Sequence, residues 1–217
     1  TYTKEAGRYY NSAVLFDRQG KYVGEYRKIN PTEGEMEHGI TPGPVQPLVF
    51  KTDFGTIGVQ ICYDVNWYDN WTRLSDAGAE IVFWPSAFAG GMMLNSLAWM
   101  NKYYVISSTR FEDPTKIVDP LGQDIVATGR AGNWVCAPIN LDIAVVQGVV
   151  NFAKFRDIRK KYGRRFGFRI LHVEALAIIE ALSGDLSVPE VLREFDIPTS
   201  KEWIAASTRA QKAKRPA

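Results

Sequence analysis

The chain patterns as an α/β protein with mixed sheets. Strand-like runs joined by tight turns open it, helical spacings alternate with buried strand runs in its middle, and another turn-linked pair follows. Hairpins and helical crossovers in one chain give sheets that are parallel in part and antiparallel in part. With 217 residues, 46% hydrophobic and 12% aromatic, the chain can bury a sizeable core.

Residues 9–16, YYNSAVLF, and 21–27, KYVGEYR, read as strands, and DRQG between them supplies a turn with Asp first and Gly last. This hairpin ends at Lys28. The lead-in before it, which holds Glu5, reads as polar and outside any strand. INPTEGEMEHGITPGP, rich in Pro, Gly and Glu, reads as a long surface loop. PLVFK, TDFG and TIGVQIC then form a second hairpin that ends on Cys62. Trp67, Trp71, Leu74 and Gly78 fall at helical spacing, so WYDNWTRLSDAGA reads as a helix with EIVFWPS a buried strand behind it.

Residues 94–103 suit another helix, with Trp99 and Met100 in its core. YYVISST is a strand, KIVDPLGQDIVATG a hairpin, and NWVCAPINLD a further strand that places Cys136 in the core. Composition shifts near residue 150. Residues 1–150 are expected to form one domain, and 151–217 a C-terminal helical extension packed on that domain or on a partner subunit. Within the extension Ser187, Pro189 and Glu190 mark a helix start, and the last ten residues are expected to fray. Because the chain opens without an initiator Met and enters a strand pattern almost at once, it reads as the C-terminal portion of a longer protein.

The net charge of +2 gives no field that implies nucleic acid; basic residues are scattered except at 154–169, a solvated helix face or subunit contact, and in the tail. No apolar stretch has the length of a transmembrane helix, and no targeting segment opens the chain. Two cysteines without paired spacing suit a reducing cytosol, so a cytoplasmic protein is expected. His38 and His172 alone would supply a zinc site poorly. No metal, membrane or nucleic-acid partner is expected.

A thiol becomes a strong nucleophile beside a cation and at a helix N-terminus, where backbone N–H groups point at the sulfur. Cys62 sits where strand turns to helix and fits both conditions; by itself, though, an isolated cysteine at the end of an apolar strand is more commonly a buried inert one. The pattern sharpens with Lys28. YNSAVLFDRQGKYVGEYRKIN, a loop of the form E-x-G-x-T-P-G, G-x-x-I-C-Y-D and GAEIVFWPSAF occur in that order. Together they resemble the nitrilase superfamily of carbon–nitrogen hydrolases, from about residue 9 to 142.

The resemblance implies an α-β-β-α four-layer sandwich, here lacking its first strands and helices. It implies that Cys62 attacks an amide carbonyl or nitrile carbon while Lys28 and the backbone N–H of Tyr63 stabilise the oxyanion. The family's general-base glutamate belongs on a strand before the hairpin; only Glu5 lies there, in a polar lead-in, so the base is expected outside this chain. A second glutamate, which positions substrate and base, is assigned first to Glu37 and second to Glu35, with a plain surface acid as the alternative. No cofactor is implied, and a homodimer or larger homo-oligomer is expected.

Tyr63-Asp64 resembles the amidase and carbamoylase branches, whereas nitrilases proper carry Trp-Glu after the cysteine. Val65 and Asn66 stand where carbamoylases tend to carry arginines, so no bidentate carboxylate clamp is evident and a neutral amide is the expected small-molecule substrate. The family's turn proline is replaced in WYD, residues 67–69. Trp84, Ser86 and Phe88 of FWPSAF line the acyl site or pack at a strand end, and Tyr63 and Asn66 join them as candidate substrate contacts. The expected activity is a thiol-dependent amidohydrolase. The alternatives are a catalytically silent scaffold of the same fold, a nitrilase, or an N-carbamoyl hydrolase.

Overall fold

In the computed structural model β1 (Tyr2–Glu5), β2 (Arg8–Phe16) and β3 (Tyr22–Arg27) form an antiparallel sheet in chain order. Residues 1–46, 48–110, 113–129 and 132–216 are described. The Asp17 carboxylate accepts the backbone N–H groups of Gln19 and Lys21 and so closes the β2–β3 turn, the role its place in DRQG suggests. Glu5, expected outside any strand, is the last residue of β1 and pairs with Arg8 across a tight turn at Ala6 and Gly7. The turn chemistry differs from the usual Asn-Gly signal, but both residues adopt positive φ, which lets two short polar strands pair.

The expected surface loop contains a one-turn helix, α1 (Glu33–Glu37), capped by Thr32. Next come β4 (Val49–Lys51), β5 (Thr56–Val59), α2 (Tyr68–Asp76), β6 (Ile81–Ser86), α3 (Met92–Asn101), β7 (Tyr104–Thr109), β8 (Lys116–Val118) and β9 (Asp124–Ala127). The six strands form one sheet in chain order, with β5, β6 and β7 parallel and the remaining neighbours antiparallel. The near-continuous apolar character of β6 suits its central, two-sided position.

On one face of this sheet, α2 and α3 bury Trp71, Leu74, Leu94, Leu97 and Ala98 against Val82, Val105 and Val118. Gly58 leaves room for Leu74 there. On the other face the small sheet lies opposite: Ala13 and Leu15 share an apolar cleft of about 350 Å³ with Phe50, Ile57, Val59 and Phe83. Two facing sheets and a helical layer therefore stack in sequence. Met100 is an exception to the expected helix core: it is 62% exposed, and Trp99 is half-buried beneath the Lys102 ammonium, 3.9 Å from its ring centroid.

The chain divides into two compact units, Thr1–Pro138 and Ile139–Ala217. The composition shift near 150 thus falls within the second. Residues 132–142 form no strand and Cys136 is exposed, not a core residue. An apolar Val beside it does not suffice when Gly, Asn, Pro and Ala surround the pair.

The second unit contains β10 (Ile143–Gln147), α4 (Phe152–Tyr162), β11 (Phe166–Leu171), β12 (Leu176–Ala181), α5 (Val188–Glu194) and α6 (Ser200–Lys214). It is not a purely helical extension. β12 lies between β10 and β11 in an antiparallel sheet, and Val146, Ala177 and Ile179 pack with Phe155 and Ile158 of α4 and Val191 and Leu192 of α5. The α5 start matches its signal: Ser187 is the N-cap, a proline lies in the first turn, and Glu190 is acidic near the N-terminus.

Candidate active site

After β5 the chain runs through Gln60 and Ile61 into a 3₁₀ turn, Cys62–Asn66. Cys62 has φ +48°, a left-handed conformation that costs a non-glycine residue roughly 1–3 kcal/mol unless its surroundings impose it. Three hydrogen bonds impose it here. Asp64 N–H donates to the Ile61 carbonyl at 3.0 Å, Ile61 N–H donates to Asp64 Oδ2 at 2.9 Å, and the Trp84 indole N–H donates to the Cys62 carbonyl at 3.0 Å. The thiol is free and half-buried. It stands just after a strand, at the first residue of a 3₁₀ turn.

Lys28 follows the last residue of β3 and is 2% exposed. Its ammonium donates to Glu35 Oε2 at 2.5 Å, while Glu35 also accepts the Thr32 N–H at 2.8 Å and the Asn11 amide at 2.7 Å. In return the Glu35 N–H donates to the Thr32 hydroxyl oxygen at 3.2 Å, which makes the pair a capping box for α1. Partial burial pushes the Glu35 carboxyl up, but the Lys28, Thr32 and Asn11 donors outweigh it and hold the group below the usual glutamate range.

This geometry separates the two candidates for the second glutamate. Glu35 is the acid that meets Lys28; Glu37 is exposed at the end of α1. The two lie two residues apart on a short helix, about 200° around its axis, so one faces the lysine when the other faces water. The signal was present as Thr32-x-x-Glu35, whose capping geometry draws the second acid inward. Glu5, the only acid before the β2–β3 hairpin, is bonded to Arg27 at 2.6 Å. Side chains alternate along a strand, so this pair lies on the face opposite Tyr26 and Lys28.

Gly43 of the T-P-G run fixes the back of Lys28. Its N–H donates to the Lys28 carbonyl at 2.8 Å, and a Cβ at that position would run into the Arg27 carbonyl oxygen. Gly43→Ala is therefore expected to destabilise the first unit by about 1–3 kcal/mol, read as a lowered Tm in thermal denaturation. An unchanged Tm would show that the loop shifts freely.

Lys28 and Cys62 come from different sheets, and one carboxylate joins their segments. Asp64, fully buried, accepts the Tyr26 hydroxyl at 2.8 Å on Oδ2, beside the Ile61 N–H. Its Oδ1 accepts the Asn30 N–H at 2.8 Å and the Asn30 side-chain amide at 3.0 Å. Tyr26 and Asn30 bracket Lys28, as Ile61 and Asp64 bracket Cys62. Burial pushes the Asp64 carboxyl up, against the four donors that pull it down. Burial and the neighbouring Asp64 charge push Tyr26 well above the usual phenol range, so it remains a neutral donor.

The other candidate contacts divide. Tyr63 is half-buried and meets Trp67 edge-on at 5.1 Å between ring centroids. The exposed Asn66 donates to the Tyr63 carbonyl at 3.0 Å, closing the 3₁₀ turn. Trp84 is fully buried in the helix-side core, so it reaches the site through the Cys62 carbonyl and offers no exposed ring for a substrate. Ser86 Oγ accepts the Phe88 N–H at 3.0 Å, and Phe88, 37% exposed, lies edge-on to Trp84. An open cleft of about 660 Å³ reaches Glu35 between Tyr2, Tyr9, His38 and Ile40. Among the described residues no group of three or more His, Cys, Asp or Glu is placed to hold a metal.

The sequence of deaminated glutathione amidase from Synechocystis sp. is 29% identical over 163 residues, which cover 64% of this chain and 60% of that protein. The probable hydrolase YhcX of Bacillus subtilis is 40% identical over 85 residues, 39% of this chain and 16% of that one. The chain thus spans three-fifths or less of these relatives' lengths. The crystal structure of a carbon-nitrogen hydrolase from Helicobacter pylori shares the fold at a TM-score of 0.55 and 23% identity, covering 59% of this chain and 56% of that chain. The family model described as carbon-nitrogen hydrolase matches residues 1–144. The ordered motifs, the facing sheets and this match lead to one assignment: the chain belongs to the carbon-nitrogen hydrolase family.

Proposed function

We propose that the protein carries out thiol-dependent hydrolysis of a linear amide, giving a carboxylate and ammonia or an amine. The observation that carries this reading is the left-handed Cys62 at the end of β5, with the Lys28 segment tied to its turn. Cys62 sulfur adds to the carbonyl carbon, and the oxygen takes the negative charge against Lys28 and the Tyr63 N–H. The C–N bond then breaks, the leaving nitrogen takes a proton, and water releases the acid from the thioester. Glu35 orients Lys28 and borders the substrate.

The proton carrier is proposed to be a glutamate outside these 217 residues, because Glu5 is bonded to Arg27 and Glu35 to Lys28, Thr32 and Asn11. A neutral amide is favoured over an anionic substrate: Val65 is buried, and Asn66 is turned to the Tyr63 carbonyl. The amidase named among the relatives agrees in reaction class. The silent-scaffold reading draws on the engagement of both glutamates. Incubation of the complete reading frame with an amide panel separates the two: release of carboxylic acid supports the hydrolase, and a folded protein inert to every amide supports the scaffold.

A further inference from the structure

We infer that Asp64 is a positioning residue, which locks the Lys28 segment and the Cys62 turn into one rigid unit and so sets the distance between nucleophile and oxyanion partner. The inference rests on the proposed roles of those two residues. Its ground is the distribution of the four donors. Oδ1 takes both of its bonds from Asn30, two residues after Lys28, at 2.8 and 3.0 Å. Oδ2 takes one from Tyr26, two residues before Lys28, and one from Ile61, the residue before Cys62, at 2.8 and 2.9 Å.

Each oxygen is thus filled, and the side chain is wholly buried. The Asp64 backbone is pinned as well: its carbonyl accepts the Trp71 indole N–H at 3.1 Å and the Trp67 N–H at 3.2 Å, which anchors the clasp to α2. A buried carboxylate that only needed solvation would be served by donors from its own turn. Here three of four come from the lysine segment. No other described side chain is bonded to residues on both sides of Lys28 and to the residue before Cys62.

Asp64→Asn preserves shape but no orientation serves all four donors. With its NH2 toward Asn30 both bonds there are opposed; with its NH2 toward Tyr26 the phenol can accept, but the Ile61 N–H loses its acceptor. Small displacements of reacting groups are costly, so preferential reaction at Cys62 is expected to fall about ten-fold or more.

The test uses the full chain and two readouts. Amide hydrogen exchange at Asn30 and Ile61 reports the clasp, and iodoacetamide alkylation of Cys62 relative to the exposed Cys136 reports positioning, since the reagent carries an amide carbonyl for the same oxyanion cradle. In folded Asp64→Asn, both amides are expected to lose protection together and the alkylation ratio to fall; Tyr26→Phe, which removes one donor, is expected to fall between the parent and Asp64→Asn. Protection lost at Ile61 alone, or an unchanged ratio, would overturn the inference. Should Asp64→Asn fail to fold, Tyr26→Phe decides by the same two readouts. If the parent shows no preference for Cys62, the functional reading fails while the exchange comparison still decides the clasp.

Discussion

Cys62→Ala is expected to abolish amide turnover with the fold retained, and Lys28→Met to lower kcat/KM by about a hundred- to a thousand-fold, on the order of 3 kcal/mol of transition-state stabilisation. The first effect is total because no other described group can form the thioester: Cys136, the second cysteine, is exposed on the far side of β9 in the sequence and outside any strand. The second is large because a charge that develops on the substrate oxygen would meet a buried apolar side chain in place of an ammonium. Methionine matches lysine in length, so packing changes little. Circular dichroism separates loss of chemistry from loss of fold: wild-type spectra with no product support the account, and retained turnover in Cys62→Ala rejects it.

Glu35→Ala is expected to destabilise the first unit by about 2–3 kcal/mol, lowering Tm by about ten degrees, because it leaves Lys28 buried without its partner. The lower end of the buried-pair range applies, since Glu35 keeps some contact with water. The effect is pH-dependent with a definite sign. The folded Glu35 carboxyl titrates below its unfolded value, held there against burial by Lys28, Thr32 and Asn11. Its contribution is complete above the unfolded glutamate value of about 4.3 and is lost as pH falls through the lower folded value. The gap in Tm between parent and Glu35→Gln should therefore hold steady at neutral pH and close below about pH 4. A gap that persists undiminished to pH 3 would place the stabilisation elsewhere.

Much of the first unit was legible because local and global signals agree there. DRQG, TDFG and DPLGQ carry turn chemistry between alternating runs, and the strands β2–β3, β4–β5 and β8–β9 follow. The helix after Cys62 was readable from Trp71 and Leu74, which occupy the core side of α2. The second unit resisted for the opposite reason. LHVEALAIIEAL is built of strong helix formers, yet Leu176–Ala181 is the central strand between β10 and β11. Cross-strand burial of Ala177 and Ile179 overrides that propensity, and the turn at His172–Ala175 carries neither Gly nor Pro to announce a hairpin.

At the site, the residue types were legible and their partners were not. Cys62 and Lys28 stood out by motif, but which acid reaches the lysine depends on the helix phase of α1, set by the Thr32 cap. The part played by Asp64 depends on which segments converge on it, and those lie more than thirty residues apart in the chain. Trp84 shows the same limit. Its sequence context suits a pocket wall equally with a core position, and only the three-dimensional arrangement sets its indole on the Cys62 carbonyl.

The most direct measurement is the mass of the Cys62 peptide after the complete protein is quenched during turnover of an amide. An increase equal to the acyl group, on that peptide and lost on further incubation, is the predicted result. Acid released with Cys62 never acylated, or acyl found on the Cys136 peptide instead, would contradict it.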